Sequence, residues 1–214
     1  MHDINTWGIW LRHALEVGAT MAFTLSGVMV AARSRLDAVG VYAVAFLAAF
    51  GGGTLRDLLL DQRPFFWVRH VEYLWGVLVL ASAAMLFMRR RHFEPTERVI
   101  QVPDALGLGL FAAVGVDLAI DVGMPPLVAV LMGVVTPVFG GVLRDIVCNE
   151  IPTAFRDHRP YALCAFIGGW VYLGLHTLGA DAWVALTVTT AVTAGLRLLA
   201  LWREWHLPLW QVER

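Results

Sequence analysis

Seven stretches of this chain are each long and apolar enough to cross a bilayer, near 11–32, 38–60, 72–88, 102–122, 125–148, 161–178 and 182–202. A helix spanning the hydrocarbon core needs about 20 mostly apolar residues, and lipid permits only helices or closed barrels to cross it. Stretches of this length predict helices. The connections between them are short, and only 89–101 (RRRHFEPTERVIQ) is strongly polar, so no soluble domain fits between spans. The expected fold class is an all-α integral membrane protein occupying 1–214 as a single membrane domain. Composition agrees, with 58% hydrophobic residues, 15% charged residues and a mean hydropathy of +0.67. The first stretch is not preceded by an Arg-rich segment and is long enough to span, so it reads as a retained helix, not a cleaved leader.

All 16 basic residues are Arg, and the formal net charge of −1 carries no sign of a nucleic-acid partner. Alternating the spans places Arg33, Arg35, Arg89, Arg90, Arg91, Arg98, Arg156, Arg159, Arg203 and Arg214 on one side. Only Arg12, Arg63 and Arg69 fall on the other. The positive-inside rule then sets the C-terminus and loop 89–101 in the cytoplasm and the N-terminus outside; the expected location is a bacterial or archaeal inner (plasma) membrane. Most of the nine Trp lie near span ends, as interfacial anchoring expects, and Trp170 inside the sixth span is the exception. Cys148 and Cys164 fit neither a disulfide framework nor a zinc pattern and read as reduced packing residues. No HExxH, GxSxG or membrane-depth His–carboxylate cluster is present, so the chain reads as no enzyme, with no catalytic residues, no metal ligands and no cofactor.

The sequence also repeats itself. At an offset of 88 residues, Phe23, Gly27 and Ala31 meet Phe111, Gly115 and Ala119 without a gap. Gly52, Gly53, Leu55, Arg56 and Asp57 meet Gly140, Gly141, Leu143, Arg144 and Asp145, and Pro64, His70 and Tyr73 meet Pro152, His158 and Tyr161. Each copy holds three spans, over 11–88 and 102–178. An odd number turns the second copy upside down, giving two inverted three-helix repeats plus an unpaired seventh helix at 182–202. In such folds the site lies at the repeat interface near mid-membrane, which nominates the second and fifth spans.

Those two spans read AFGGGTLRDLLL and PVFGGVLRDIV. Gly51, Gly52 and Gly53 in one, and Gly140 and Gly141 after Pro137 in the other, predict helices interrupted at matched positions. An interior Gly costs about 1 kcal/mol and Pro about 3 kcal/mol relative to Ala. Freed carbonyls at that depth would suit a desolvated monovalent cation; close helix packing is the competing role of the glycines. Arg56, Asp57, Arg144 and Asp145 follow each glycine run. Adjacent side chains point about 100° apart, so the pseudo-symmetry suggests cross-repeat pairs, Arg56 with Asp145 and Arg144 with Asp57, either bracing the fold or lining a pathway. Glu16 and Asp104, also related by the offset, sit near the predicted starts of the first and fourth spans, as helix caps or as acids at a cation-attracting mouth. Arg197 reads as snorkelling to the cytoplasmic interface, and His70 and His158 as solvated loop residues. The Arg89–Arg91 run serves as a topology signal or as a site for anionic lipid heads.

GGGTLRD at 51–57 and GGVLRD at 140–145, each at the glycine-marked middle of a three-helix repeat, resemble the signature of the prokaryotic trimeric intracellular cation (TRIC) channels. The resemblance covers nearly the whole chain. It implies a homotrimer in which each protomer carries its own pore, lined by the second and fifth spans and permeated by potassium or sodium ions. Animal members carry a lysine-containing motif linked to phosphoinositide binding; this chain has no Lys, so that control does not carry over. Phe139 stands where the first copy has Gly51 and is expected to narrow one half-pathway. The expected function is a monovalent-cation channel, with membrane lipids and its own copies as partners. The alternative is a secondary transporter of a small zwitterion such as an amino acid.

Overall fold

The computed structural model describes residues 3–91, 94–156 and 159–208, and is helical throughout with short turns. Nine helices follow one another among the described residues: α1 Asp3–Arg33, α2 Ala38–Leu59, α3 Phe66–Arg69, α4 Val71–Arg91, α5 Glu97–Asp121, α6 Pro126–Val147, α7 Thr153–Arg156, α8 Ala162–Thr177 and α9 Ala182–Trp202. Six of them (α1, α2, α4, α5, α6 and α9) are long and apolar enough to cross a membrane. The sixth predicted span is the shorter apolar helix α8, of 16 residues, about 24 Å at 1.5 Å per residue. Loop 89–101 is mostly absorbed into the ends of α4 and α5. His158 and Arg214 lie outside the described residues.

Local chemistry explains the boundaries. Asp37 caps α2 by accepting from the Gly40 N–H at 2.8 Å. Pro126 opens α6 at a position where no N–H is needed. Gly123 and Gly179, with φ of 76° and 78°, take the left-handed conformation that ends α5 and α8.

The layering is the reverse of a soluble protein's. Exposed side chains on α4 include Trp75, Val79, Leu86 and Phe87, while Glu16, Thr20, Thr24, Ser26, Arg56 and Asp104 are buried. Polar groups inside and apolar groups outside are what a bilayer solvent selects. The most buried span is α5, packed against α1, α6, α8 and α9; α4, the least buried, leans on α1 and α2. Phe23 of α1 and Phe111 of α5 stack at 5.8 Å in the core.

Neither glycine run breaks its helix: α2 continues through Gly51–Gly53, and α6 through Pro137, Gly140 and Gly141. The packing of α2 on α6 is the reason. A Cβ on Gly52 would overlap the Thr136 carbonyl oxygen, and one on Gly140 would stand 2.5 Å from that of Ala48. The two backbones therefore touch, and their close packing at the crossing offsets the low helix propensity of glycine. Glu16 and Asp104 are not helix-start caps either. The helices begin earlier than the apolar stretches do, leaving Glu16 in the middle of α1 and Asp104 two turns into α5.

Candidate functional site

Each signature Arg is the centre of a buried cluster whose charged members all come from its own repeat. Arg56, on the last turns of α2, donates from Nε to Asp57 Oδ1 at 2.8 Å, and its Nη2 reaches Glu16 Oε1 on α1 at 3.5 Å. Its guanidinium lies over the Phe66 ring, 5.2 Å from the centroid. The second oxygen of Asp57 accepts the Phe66 backbone N–H at 2.7 Å, which fixes the short helix α3 beside the cluster. Tyr73 of α4 donates to Glu16 Oε2 at 3.5 Å.

The second cluster follows the same plan. Arg144 Nε donates to Asp145 Oδ1 at 2.7 Å, and Nη1 donates to Asp104 Oδ1 at 2.6 Å and to Ser26 Oγ at 2.5 Å. Asp145 Oδ2 accepts from the Thr153 N–H at 2.8 Å and its hydroxyl at 3.0 Å, fixing α7 as Asp57 fixes α3. Glu16, Arg56 and Asp57 map onto Asp104, Arg144 and Asp145 at the 88-residue offset.

The cross-repeat pairs Arg56–Asp145 and Arg144–Asp57 do not form. A separation of 100° around the helix keeps only short side chains apart. An Arg is long enough to fold back so that Nε meets the next residue's carboxylate while its terminal nitrogens reach the preceding helix. Ser26, on α1, is the one described residue that brings the first repeat into the second cluster.

Each cluster closes the inner end of an open vestibule, of about 170 Å³ at Arg144 and about 100 Å³ at Arg56. The first is lined by Arg33, Ser34, Glu97, Asp104, Arg144 and Thr153, where α1 ends and α5 begins; the second by Glu16, Arg56, Gln62, Phe66, Arg69 and His70, where α2 ends. Because α1 and α2 run antiparallel through a short turn, the vestibules open at opposite ends of the bundle. Gly51, Gly52, Gly53, Gly140 and Gly141 line neither. Phe139 is 39% exposed and also lines neither.

Other buried charges have structural partners. Arg12 pairs with Asp117 at 2.8 Å and also with Asp121, and Tyr172 donates to Asp117. Arg197 does not snorkel: it is 1% exposed, lies 4.8 Å over the Tyr161 ring and donates to the Pro160 carbonyl at 3.5 Å. Ser26, Phe66, Thr153 and Tyr172 carry no sequence motif, and only their contacts mark them.

The model of the family described as "Glycine transporter" matches this chain twice, at 13–89 and 101–177, again 88 residues apart. These matches cover both cluster-bearing segments, and solved TRIC cation channels align with the chain at 32–33% identity. The chain belongs to the prokaryotic TRIC channel family. Among solved structures, it is similar to the TRIC trimeric intracellular cation channel orthologue from Rhodobacter sphaeroides, with 32% identity and a TM-score of 0.84 over 91% of this chain and 99% of that one. A second TRIC cation channel, solved for the structural basis of conductance, shows 33% identity and a TM-score of 0.84, over 94% of this chain and 98% of that one. The UPF0126 inner membrane protein YadS of Escherichia coli strain K12 is 36% identical over 200 residues, covering 93% of this TRIC-family chain and 95% of the relative. The TRIC fold therefore covers more than nine-tenths of this chain.

Proposed function

We propose that this TRIC-family chain is a monovalent-cation channel, conducting potassium, with one pathway in each protomer between the two vestibules and beside α2 and α6. A single observation carries the reading. Each Arg is held by two carboxylates, Glu16 and Asp57 or Asp104 and Asp145, so one positive and two negative charges leave each cluster formally at −1. Net negative charge at the inner end of a vestibule attracts cations and repels anions, and the fixed guanidinium keeps a cation from being trapped there. The solved TRIC relatives support the same reading.

With this function go seven spans, counting α8, and two inverted repeats. The N-terminus then faces outward from an inner membrane, and three copies assemble. The YadS relative and the trimeric Rhodobacter orthologue support the last two. On this orientation the Arg144 vestibule opens to the cytoplasm and the Arg56 vestibule to the outside.

The family description favours a second reading, transport of a small zwitterion, whose two charges an Arg–carboxylate cluster would also match. Planar-bilayer recording in a potassium gradient separates the two. Unitary currents reversing near the potassium potential are expected. Saturable uptake of labelled glycine into proteoliposomes, with no unitary current, would establish the transporter instead.

A further inference from the structure

The repeat duplicates the Arg clusters but not everything around them. At the end of the bundle where α2 terminates, His13 of α1, His70 just after α3 and Glu72 in the first turn of α4 converge, with one ligand atom from each lying within 4.8 Å of the others. At the 88-residue offset, His13 becomes Gln101 and Glu72 becomes Pro160. The triad therefore belongs to one half of the molecule, and the common architecture of the repeats does not account for it.

We propose that His13, His70 and Glu72 form a binding site for a zinc-class divalent transition metal at the outer vestibule, and that the bound metal reduces cation entry. The donor set selects the metal: two imidazoles and a carboxylate suit zinc and its neighbours, whereas magnesium and calcium take oxygen ligands. Three protein ligands leave a position open for water. The geometry is close to what a metal needs. His70 Nδ1 and Glu72 Oε1 stand 2.9 Å apart, and neighbouring ligands on bonds of about 2.0–2.1 Å lie roughly 2.9–3.4 Å apart. The His13 and His70 rings are 4.8 Å apart, so rotation of the half-buried His70 and the exposed Glu72 side chains closes the set.

The surroundings hold one ligand in place. His13 Nδ1 is 2.8 Å from the Tyr73 hydroxyl, which itself donates to Glu16. That hydroxyl then accepts the Nδ1–H, leaving the His13 Nε2 lone pair for the metal, the outer-shell arrangement that fixes metal-binding imidazoles. Of the adjacent arginines, Arg12 is neutralised by Asp117 and Asp121, whereas Arg69 keeps its charge and is held by the Arg63 carbonyl at 2.9 Å. His70 also lines the Arg56 vestibule. Two added positive charges at that mouth would counter the negative field of the Glu16–Arg56–Asp57 cluster.

The effect on conduction rests on the channel reading, whereas metal binding does not, so the two are measured separately. Isothermal titration of zinc chloride into the purified protein in nanodiscs is expected to show one site of micromolar affinity per chain. His13→Gln and His70→Gln are each expected to weaken it about tenfold or more. Glu72→Gln, at an exposed position, provides the same test if a His variant misfolds. Wild-type binding no tighter than millimolar, or binding unchanged in Glu72→Gln and His70→Gln, would overturn the site. In bilayers, micromolar zinc on the N-terminal side is expected to reduce potassium current, relative to each protein's own zinc-free current, in the wild type and far less in the variants. Zinc that binds but leaves the current unchanged overturns its placement on the ion path. A protein that binds zinc at this triad yet conducts under no condition refutes the channel reading and leaves the site standing.

Discussion

Arg144 and Asp104 are joined at 2.6 Å across 40 residues of chain, and Arg56 reaches Glu16 across the same 40. The two contacts tie the first helix of each repeat to the second, so each half of the protein carries its own lock.

Removing one partner of such a lock leaves a charge uncompensated in a dry site, at about 3–5 kcal/mol when the pair is fully buried. Arg144→Met is expected to approach that loss. Adding Asp104→Asn to Arg144→Met should recover part of it, giving a non-additivity of about 0.5–3 kcal/mol. Arg56→Met with Asp145→Leu should be additive, since those residues do not meet. Thermal melting of the purified single and double variants measures all of these.

Substituting the glycines at the crossing of α2 and α6 should injure the fold. Gly52→Ala places a methyl against the Thr136 carbonyl, and overpacking of this kind costs about 1–3 kcal/mol or more. Gly141→Ala meets the Tyr161 hydroxyl at 3.6 Å, Arg144 Nη2 at 3.7 Å and Asp104 Oδ1 at 3.8 Å, all ordinary contacts, and is expected to melt like the parent. Equal melting temperatures for the two variants would contradict the crossing.

Neutralising one acid in each cluster tests selectivity. Glu16→Gln or Asp104→Asn takes its cluster from a formal −1 to zero and should lower the permeability of potassium relative to chloride. Reversal potentials in asymmetric potassium chloride report that ratio directly. An unchanged reversal potential in both folded variants would remove these carboxylates from the conduction mechanism.

Topology follows from the arginine asymmetry. Reporter fusions at the C-terminus and within 89–101 are expected to score cytoplasmic, and a fusion at the N-terminus external. An external score in 89–101 would reverse both vestibules.

The apolar stretches and the 88-residue repeat were legible because hydropathy and self-similarity are properties of the string itself. So were the residues of the Arg clusters, since a charge inside an apolar span is conspicuous wherever it points. Their partners were not. Whether Arg56 turns to Asp145 or to Glu16 depends on how far a flexible side chain reaches, and spacing along a helix does not encode that. The glycines illustrate the same boundary: propensity predicts a break at Gly51–Gly53 and Gly140–Gly141, and a neighbouring backbone at contact distance overrides it. Arg197 is sheltered by Tyr161, 36 positions earlier, and His13 by proximity to His70, 57 positions later; neither separation is a periodicity of any helix.

Main chain resting on main chain at Gly52 and Gly140 has a mechanical meaning. Two helices welded at that point behave as one beam: they cannot hinge or slide there without driving a carbonyl oxygen into an α-carbon. The crossing is therefore the stiffest point of the bundle, and any motion of α2 there carries α6 with it.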